Sequence, residues 1–273
     1  MLPPTPGAPR LDVGAALREG WRAFLRAPWV LVGFLLVAMV LGLGLALIEN
    51  ALSPPPGALP PPRTPGLLLC QLASWALSLW TVVGLVRGAW IALEGRRPSF
   101  GELLRWDGAA IGRVLLASLL LTLILALIAL PLLGVMATAV DRMVDIDFPL
   151  GGPPVLRSFL PTPGAVLQLT LAALLLLAVF TYAQVNQHFL VQLASLRGTG
   201  ALGSLRAGRA VVDPQWWPTL GLVALESLLL LAGSLALLLG LFVAVPLVFC
   251  VSTAAYRQLF GGEPHAGGRL PAA

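Results

Sequence analysis

Apolar runs of membrane length follow one another along the chain. A membrane helix needs ~20 apolar residues, and residues 29–48, 67–86, 114–133 and 165–187 each supply such a run, with Pro131 near the far end of the third. Residues 219–256 form a further apolar stretch of 38. As one helix that stretch would reach roughly 57 Å, against a hydrocarbon core of ~30 Å. Gly240 sits near its middle and Pro246 follows, so the pattern predicts a helical hairpin with spans at about 220–239 and 241–256. The expected fold is therefore all-α integral membrane, with six transmembrane helices.

The polar stretches ahead of the odd-numbered spans resemble each other. They read Val13-Gly14-Ala15-Ala16-Leu17-Arg18, Phe100-Gly101-Glu102-Leu103-Leu104-Arg105 and Leu202-Gly203-Ser204-Leu205-Arg206. Each predicts a short amphipathic helix at the membrane interface. In the first, Arg18, Arg22 and Arg26 recur every four residues, while Leu17, Trp21, Phe24 and Leu25 lie largely opposite. Such a helix places its apolar face down and its arginines toward anionic head groups. Arg105 and Arg206 hold the matching positions in the other two. Ser99 and Glu102 have capping-box spacing. The even-numbered spans also end alike, at Leu93-Glu94-Gly95, Leu196-Arg197-Gly198 and Leu259-Phe260-Gly261. The chain thus reads as three repeated helical hairpins in parallel orientation, unlike the inverted repeats of many transporters.

Composition agrees with burial in lipid. The chain has 273 residues, 58% hydrophobic and 11% charged, whereas soluble domains are about a quarter charged. All 17 basic residues are arginine, and they flank the spans instead of forming a nucleic-acid patch. Arg10, Arg18, Arg22 and Arg26 precede the first span. Arg87, Arg96, Arg97, Arg105 and Arg113 lie between the second and third, Arg197, Arg206 and Arg209 between the fourth and fifth, and Arg257 and Arg269 in the tail. Only Arg63, Arg142 and Arg157 lie on the other side. The positive-inside rule makes the richer side cytoplasmic, with both termini there. Residues 12–261 read as a single six-helix membrane domain between a flexible, retained N-terminus (1–11) and a flexible tail (262–273). The expected location is a bacterial cytoplasmic (inner) membrane. Of the outer connections, residues 51–66 carry seven Pro and should form a polyproline arch. Residues 140–164 carry Asp141, Asp145 and Asp147 and five Pro.

Gly20-Trp21-Arg22-Ala23-Phe24 followed by Pro28 and a span, with Tyr256-Arg257-Gln258-Leu259-Phe260-Gly261 at the end, resembles a broad group of bacterial polytopic membrane proteins of unknown function. That group is similar to the membrane domain attached to some glycerophosphoryl diester phosphodiesterases. The catalytic phosphodiesterase domain is absent here, so the resemblance implies a membrane fold and no hydrolase activity.

Within the spans, Glu226 is the one acidic residue well inside. An ionised side chain near the centre costs ~2.5–3.5 kcal/mol, and the Leu and Val of residues 220–239 offset this by roughly 4–7 kcal/mol. Glu226 reads as a proton- or cation-responsive group facing the bundle interior, or as a structural Glu making interhelical hydrogen bonds or reaching Arg or water. Thr181, Gln184, His188, Gln192 and Ser195 fall on one helix face, with Tyr182, Asn186 and Gln187 beside it. They read as a cavity wall open to the cytoplasm, or as a helix protruding among head groups. The pairs Gly84 with Gly88 and Gly108 with Gly112 read as close-packing sites. Trp75 and Trp80 read as lipid or helix contacts.

No phosphate loop, zinc-protease, redox or nucleophile-elbow motif is present, and the lone His188 predicts no metal. The Asp141 group matches no calcium loop. No cofactor, metal or nucleic-acid partner is expected. The residues leave three functions open. The first is a non-enzymatic membrane protein that organises lipids or partner membrane proteins, a second copy of itself included. The second is a transporter of small or lipid-like molecules using Glu226. The third, more remote, is an intramembrane enzyme.

Overall fold

In a computed structural model of the chain, residues 10–53, 65–147, 155–236 and 239–261 are described, without the side chains of 145–147 and 155–159. The N-terminal residues 1–9, the proline-rich stretch 54–64 and the tail 262–273, on which the expected arch and flexible ends fall, lie outside them. The described helices are α1 (Val13–Arg26), α2 (Pro28–Leu52), α3 (Pro65–Leu93), α4 (Phe100–Leu104), α5 (Gly108–Asp141), α6 (Pro163–Asn186), α7 (Leu190–Leu196), α8 (Ala201–Val212), α9 (Trp216–Leu235) and α10 (Leu241–Phe260). Six helices or helix pairs are long and apolar enough to cross a membrane: α2, α3, α5, α6 with α7, α8 with α9, and α10.

Local chemistry starts and stops these helices. Asp12 caps α1 by accepting from the Ala15 amide at 2.8 Å, and Pro28 opens α2, where its missing N–H costs nothing. The expected capping box is present: Glu102 accepts from the Ser99 amide at 2.7 Å and the Glu102 amide donates to Ser99 Oγ at 3.3 Å. The Ser99 backbone hydrogen bond, its largest influence, holds the Glu102 carboxyl below the ordinary glutamate range. The cap is therefore complete above that range and loosens as pH falls through the lowered value. Asp107 opens α5 by accepting from the Ala110 amide at 2.9 Å. Gly95, Gly198 and Gly261 close the three even-numbered spans with φ of +88°, +67° and +85°, a backbone state that L side chains rarely adopt.

The chain divides into two compact units. The second, residues 119–185, holds the C-terminal part of α5 and nearly all of α6. There Gln168 Nε2 donates to Val135 O at 3.1 Å, and Arg142 Nη1 donates to Gln168 Oε1 at 3.1 Å. Between the helices a short antiparallel hairpin pairs β1 (Val144–Asp147) with β2 (Val155–Phe159), Val144 opposite Phe159, with an irregularity at Asp145/Ile146. Asp141 is exposed at its base.

The first unit, residues 1–118 and 186–273, is built on α10, whose Cys250, Val251, Ala254 and Ala255 are fully buried. α1 lies across it through Ala16, Gly20, Ala23 and Phe24. A Cβ on Gly20 would stand 2.6 Å from the Val251 backbone, so only glycine permits this crossing. α2 meets α3 in the same way, because a Cβ on Gly84 would lie 2.5 Å from Phe34 Cζ. Phe34 packs on Trp80 with ring centroids 4.9 Å apart, and Trp80 Nε1 donates to Leu104 O at 3.2 Å, which makes Trp80 a helix contact. The Gly84 and Gly88 expectation thus holds. The one for Gly108 and Gly112 does not: a Cβ on Gly112 would meet nothing within 4 Å among the described residues, and Gly108 faces only the ring of Trp106. Spacing alone registered small residues there without a neighbouring helix to receive them.

Arginines join the helix ends. The last carbonyls of a helix have no partner in the helix and carry partial negative charge. Arg26 Nη1 donates to Ala92 O at 2.6 Å and Arg257 Nη1 to Leu93 O at 2.8 Å, both at the end of α3. Arg113 Nε donates to Ala194 O at 2.9 Å in α7, and Arg197 Nη2 to Phe260 O at the end of α10. Arg87 Nη1 serves Glu102 O and Arg105 O, at 3.2 and 2.9 Å, around the end of α4. Between these ends, Phe189 reaches Tyr256 and Phe260, and Tyr256 stacks on Phe260 at 4.9 Å and meets Trp90 edge-on at 6.3 Å.

A Gly20→Ala substitution must force α1 off α10. It should lower stability by about 1–3 kcal/mol, read as a fall in the unfolding midpoint in mild detergent. Gly112→Ala, with open space and better helix propensity, should cause no fall.

Candidate functional site

Spans four, five and six each bring a polar side chain to one buried point in the first unit. The fourth span leaves helical geometry at residues 187–189, between α6 and α7, and the Leu190 amide turns back to Gln187 O at 3.0 Å. α8 covers this break: a Cβ on Gly208 would stand 3.1 Å from Asn186 O and 3.4 Å from Gln187 Oε1, so the close approach needs the glycine. Gln187 Nε2 donates to Leu205 O at 3.4 Å.

His188 sits on the break. Its Nε2 lies 3.2 Å from Glu226 Oε2 of α9 and 3.2 Å from Ser252 Oγ of α10. Gln192, one turn into α7, donates from Nε2 to Ser252 Oγ at 2.9 Å. A ring nitrogen offers one hydrogen or one lone pair, so Nε2 either shares its hydrogen between the carboxylate and the hydroxyl or accepts from one of them. Glu226 is 6%, Ser252 5% and Gln192 3% exposed. Glu226 Oε1 and Gln192 Oε1 are buried without a hydrogen bond, as are both amide atoms of Asn186 at the break. Native structures satisfy nearly all such atoms, and each one left over costs ~1–3 kcal/mol.

Of the residues singled out in the sequence, His188, Gln192 and Glu226 meet. The proposed continuous stripe does not run through, because the helix is interrupted at 187–189. Thr181 and Gln184 lie before the break, in the second unit, Thr181 half-buried and Gln184 exposed. Ser195 donates to Val191 O of its own helix at 2.6 Å. Sequence reasoning missed Ser252, whose signal is the Ser252-Thr253 pair inside the otherwise apolar run of α10. Among the described residues, no three His, Cys, Asp or Glu side chains converge to hold a metal.

Of the five arginines read as head-group contacts, Arg18, Arg22, Arg105 and Arg206 are exposed. Arg26 is exposed as well, yet it is tied to Ala92 O.

No protein-family model, curated protein or solved structure matches the chain. Its class follows from the molecule: an all-α, multi-pass membrane protein with six apolar helices long enough to span the bilayer.

Removing one partner from a buried hydrogen-bonded pair leaves the other unsatisfied, at a cost of ~1–3 kcal/mol. His188→Ala and Glu226→Ala should therefore each destabilise the protein, and the double variant should lose about 1–3 kcal/mol less than their sum. A double-mutant cycle in detergent unfolding measures this, and strict additivity would contradict the contact.

Proposed function

We propose that the protein is a non-enzymatic organiser of anionic lipid at the cytoplasmic face of a bacterial inner membrane, with both termini on that face. The observation that carries this reading is the division of α1 into three arcs. Its small face, Ala16, Gly20 and Ala23, is buried on α10. Next around the helix comes an exposed apolar arc, with Trp21 45% and Leu25 54% exposed. Beside it lies the arc of Arg18 and Arg22, also exposed. A helix fixed to the bundle by one face and offering adjacent apolar and cationic arcs suits the boundary between acyl chains and phosphate head groups. Exposed Trp106 and Trp217 extend the same boundary.

The three positive-φ glycines that end the even-numbered spans support the reading of three repeated hairpins, each entered through an interfacial helix. The resemblance to membrane domains attached to some glycerophosphoryl diester phosphodiesterases fits a supporting role beside lipid metabolism without chemistry in this chain. The exposed leucine faces of α2, α5 and α6 suit lipid tails or a partner span, a second copy included. A second reading, a transporter, is favoured by one observation: the interrupted fourth span beside a buried carboxylate, an arrangement that transporters use for coupling ions.

Each arginine near an anionic surface contributes about 1 kcal/mol, so removing two lowers affinity for anionic head groups roughly 30-fold. Lipid co-purifying with the protein should be enriched in anionic species over the bulk membrane, and Arg18→Gln with Arg22→Gln should abolish most of that enrichment. Unchanged enrichment in the double variant would overturn the reading.

A further inference from the structure

One exposed flank of α6 carries a polar group that the chain leaves unanswered. The β hairpin joins the end of α5 to the start of α6, with the Leu160 amide 2.9 Å from Met143 O. Beside it Gln168 Nε2 donates to Thr138 Oγ1 at 3.2 Å, and α6 then runs back along the span that α5 has crossed. Gln184 lies sixteen residues beyond Gln168, about 24 Å along the helix. The same distance back along α5 from Thr138 reaches Thr122, nine residues past Arg113, the last charge before the apolar run. Gln184 is therefore about 14 Å inside that run, near the middle of a hydrocarbon core of ~30 Å. Its side chain is exposed there and has no hydrogen-bond partner among the described residues. Lipid tails offer none either, and an amide facing hydrocarbon unpaired is costly.

Gln184 ends a stripe. Val166, Thr170, Ala173, Leu177, Phe180 and Gln184 recur at alternating intervals of four and three, the period of a left-handed helix pair. All six are exposed, Leu177 at 63% and Phe180 at 45%. The Thr170 hydroxyl donates to Val166 O of its own helix at 2.8 Å, so Gln184 is the group of the stripe that lacks a partner. Whatever covers this face must bring both a donor and an acceptor to the depth of Gln184 and match an uncharged seam. A second copy inserted the same way round does so. A two-fold axis along the membrane normal sets each residue on the axis against its own counterpart. An amide is complementary to itself, donating through nitrogen and accepting through oxygen, and no like charges meet along the stripe.

We propose that the protein forms a parallel homodimer through this face of α6. Gln184 of each copy donates to and accepts from Gln184 of the partner subunit, and Leu177 and Phe180 pack across the axis. The dimer gives the exposed face of α6 its occupant. It rests on the six membrane-spanning helices and is independent of the lipid reading, since it uses none of the exposed arginines.

The test uses the full chain in phosphatidylcholine vesicles, which carry no net charge. Energy transfer between donor- and acceptor-labelled copies is followed as the protein is diluted in lipid. The expected result is a monomer–dimer equilibrium whose midpoint moves to roughly tenfold higher protein density in Gln184→Leu. A second measurement uses a Cys70→Ala background, in which the remaining Cys250 is buried. Leu177→Cys should form an intermolecular disulfide on mild oxidation. Leu175→Cys, on the opposite flank of α6 and as accessible at 52% exposed, should not. A monomer at every density, an unshifted midpoint in Gln184→Leu, or equal cross-linking at the two positions would overturn the dimer. Cross-linking of Leu177→Cys in cells to a different protein alone would also overturn it and give the face to a foreign partner. Because the vesicles hold no anionic lipid, failure of the dimer is separate from failure of the lipid proposal.

Discussion

The end of a membrane helix presents carbonyl oxygens that neither the helix nor the lipid can satisfy, and in this protein guanidinium groups from other segments satisfy them. Arg26 and Arg257 both serve the end of α3, Arg113 serves α7, and Arg197 serves α10. A hydrogen bond to a charged donor contributes about 1.5–3 kcal/mol, and the negative end of the helix dipole adds to it. Because each arginine starts from a different element, every bond also fixes one helix against another. The meeting of Trp90, Phe189, Tyr256 and Phe260 follows from that convergence. So does the seating of α1, whose Glu19 reaches Arg257 and whose Gly20 rests on Val251.

This gives the arginines two roles that spacing alone merges. Arg18 and Arg26 lie on the same helical stripe, but Arg26 turns in to a carbonyl while Arg18 stays out. Nothing local separates them, since the difference is set by where α3 ends in space. A guanidinium suits the inward role because its planar array of donors reaches two carbonyls at once, as Arg87 does. The outward arginines remain for the aqueous boundary, which is where the proposed lipid contacts lie.

The six apolar helices, the capping box at Ser99 and the glycine ends at 95, 198 and 261 were legible because each rests on residues close together in sequence. The close approach at Gly84 was legible for the same reason, yet identical spacing at Gly108 and Gly112 has no receiving helix. The candidate site was half legible. A carboxylate in an apolar run marks itself, as Glu226 does, and helical spacing linked His188 with Gln192. The same periodicity also drew in Thr181 and Gln184, because it assumes an unbroken helix. The interruption at 187–189 has no proline or glycine to announce it. It is held by contacts distant in sequence, with Gly208 against Asn186 O and His188 against Glu226. Ser252 joins the site only through tertiary packing.

The central claim is that inward arginines bind the helix ends together while outward ones do not. The most direct measurement compares unfolding midpoints in mild detergent for Arg113→Met, Arg197→Met and Arg257→Met with those for Arg18→Met and Arg22→Met. The account predicts losses of about 2 kcal/mol for each of the first three and less than about 0.5 kcal/mol for the last two. Equal effects in both sets would contradict it.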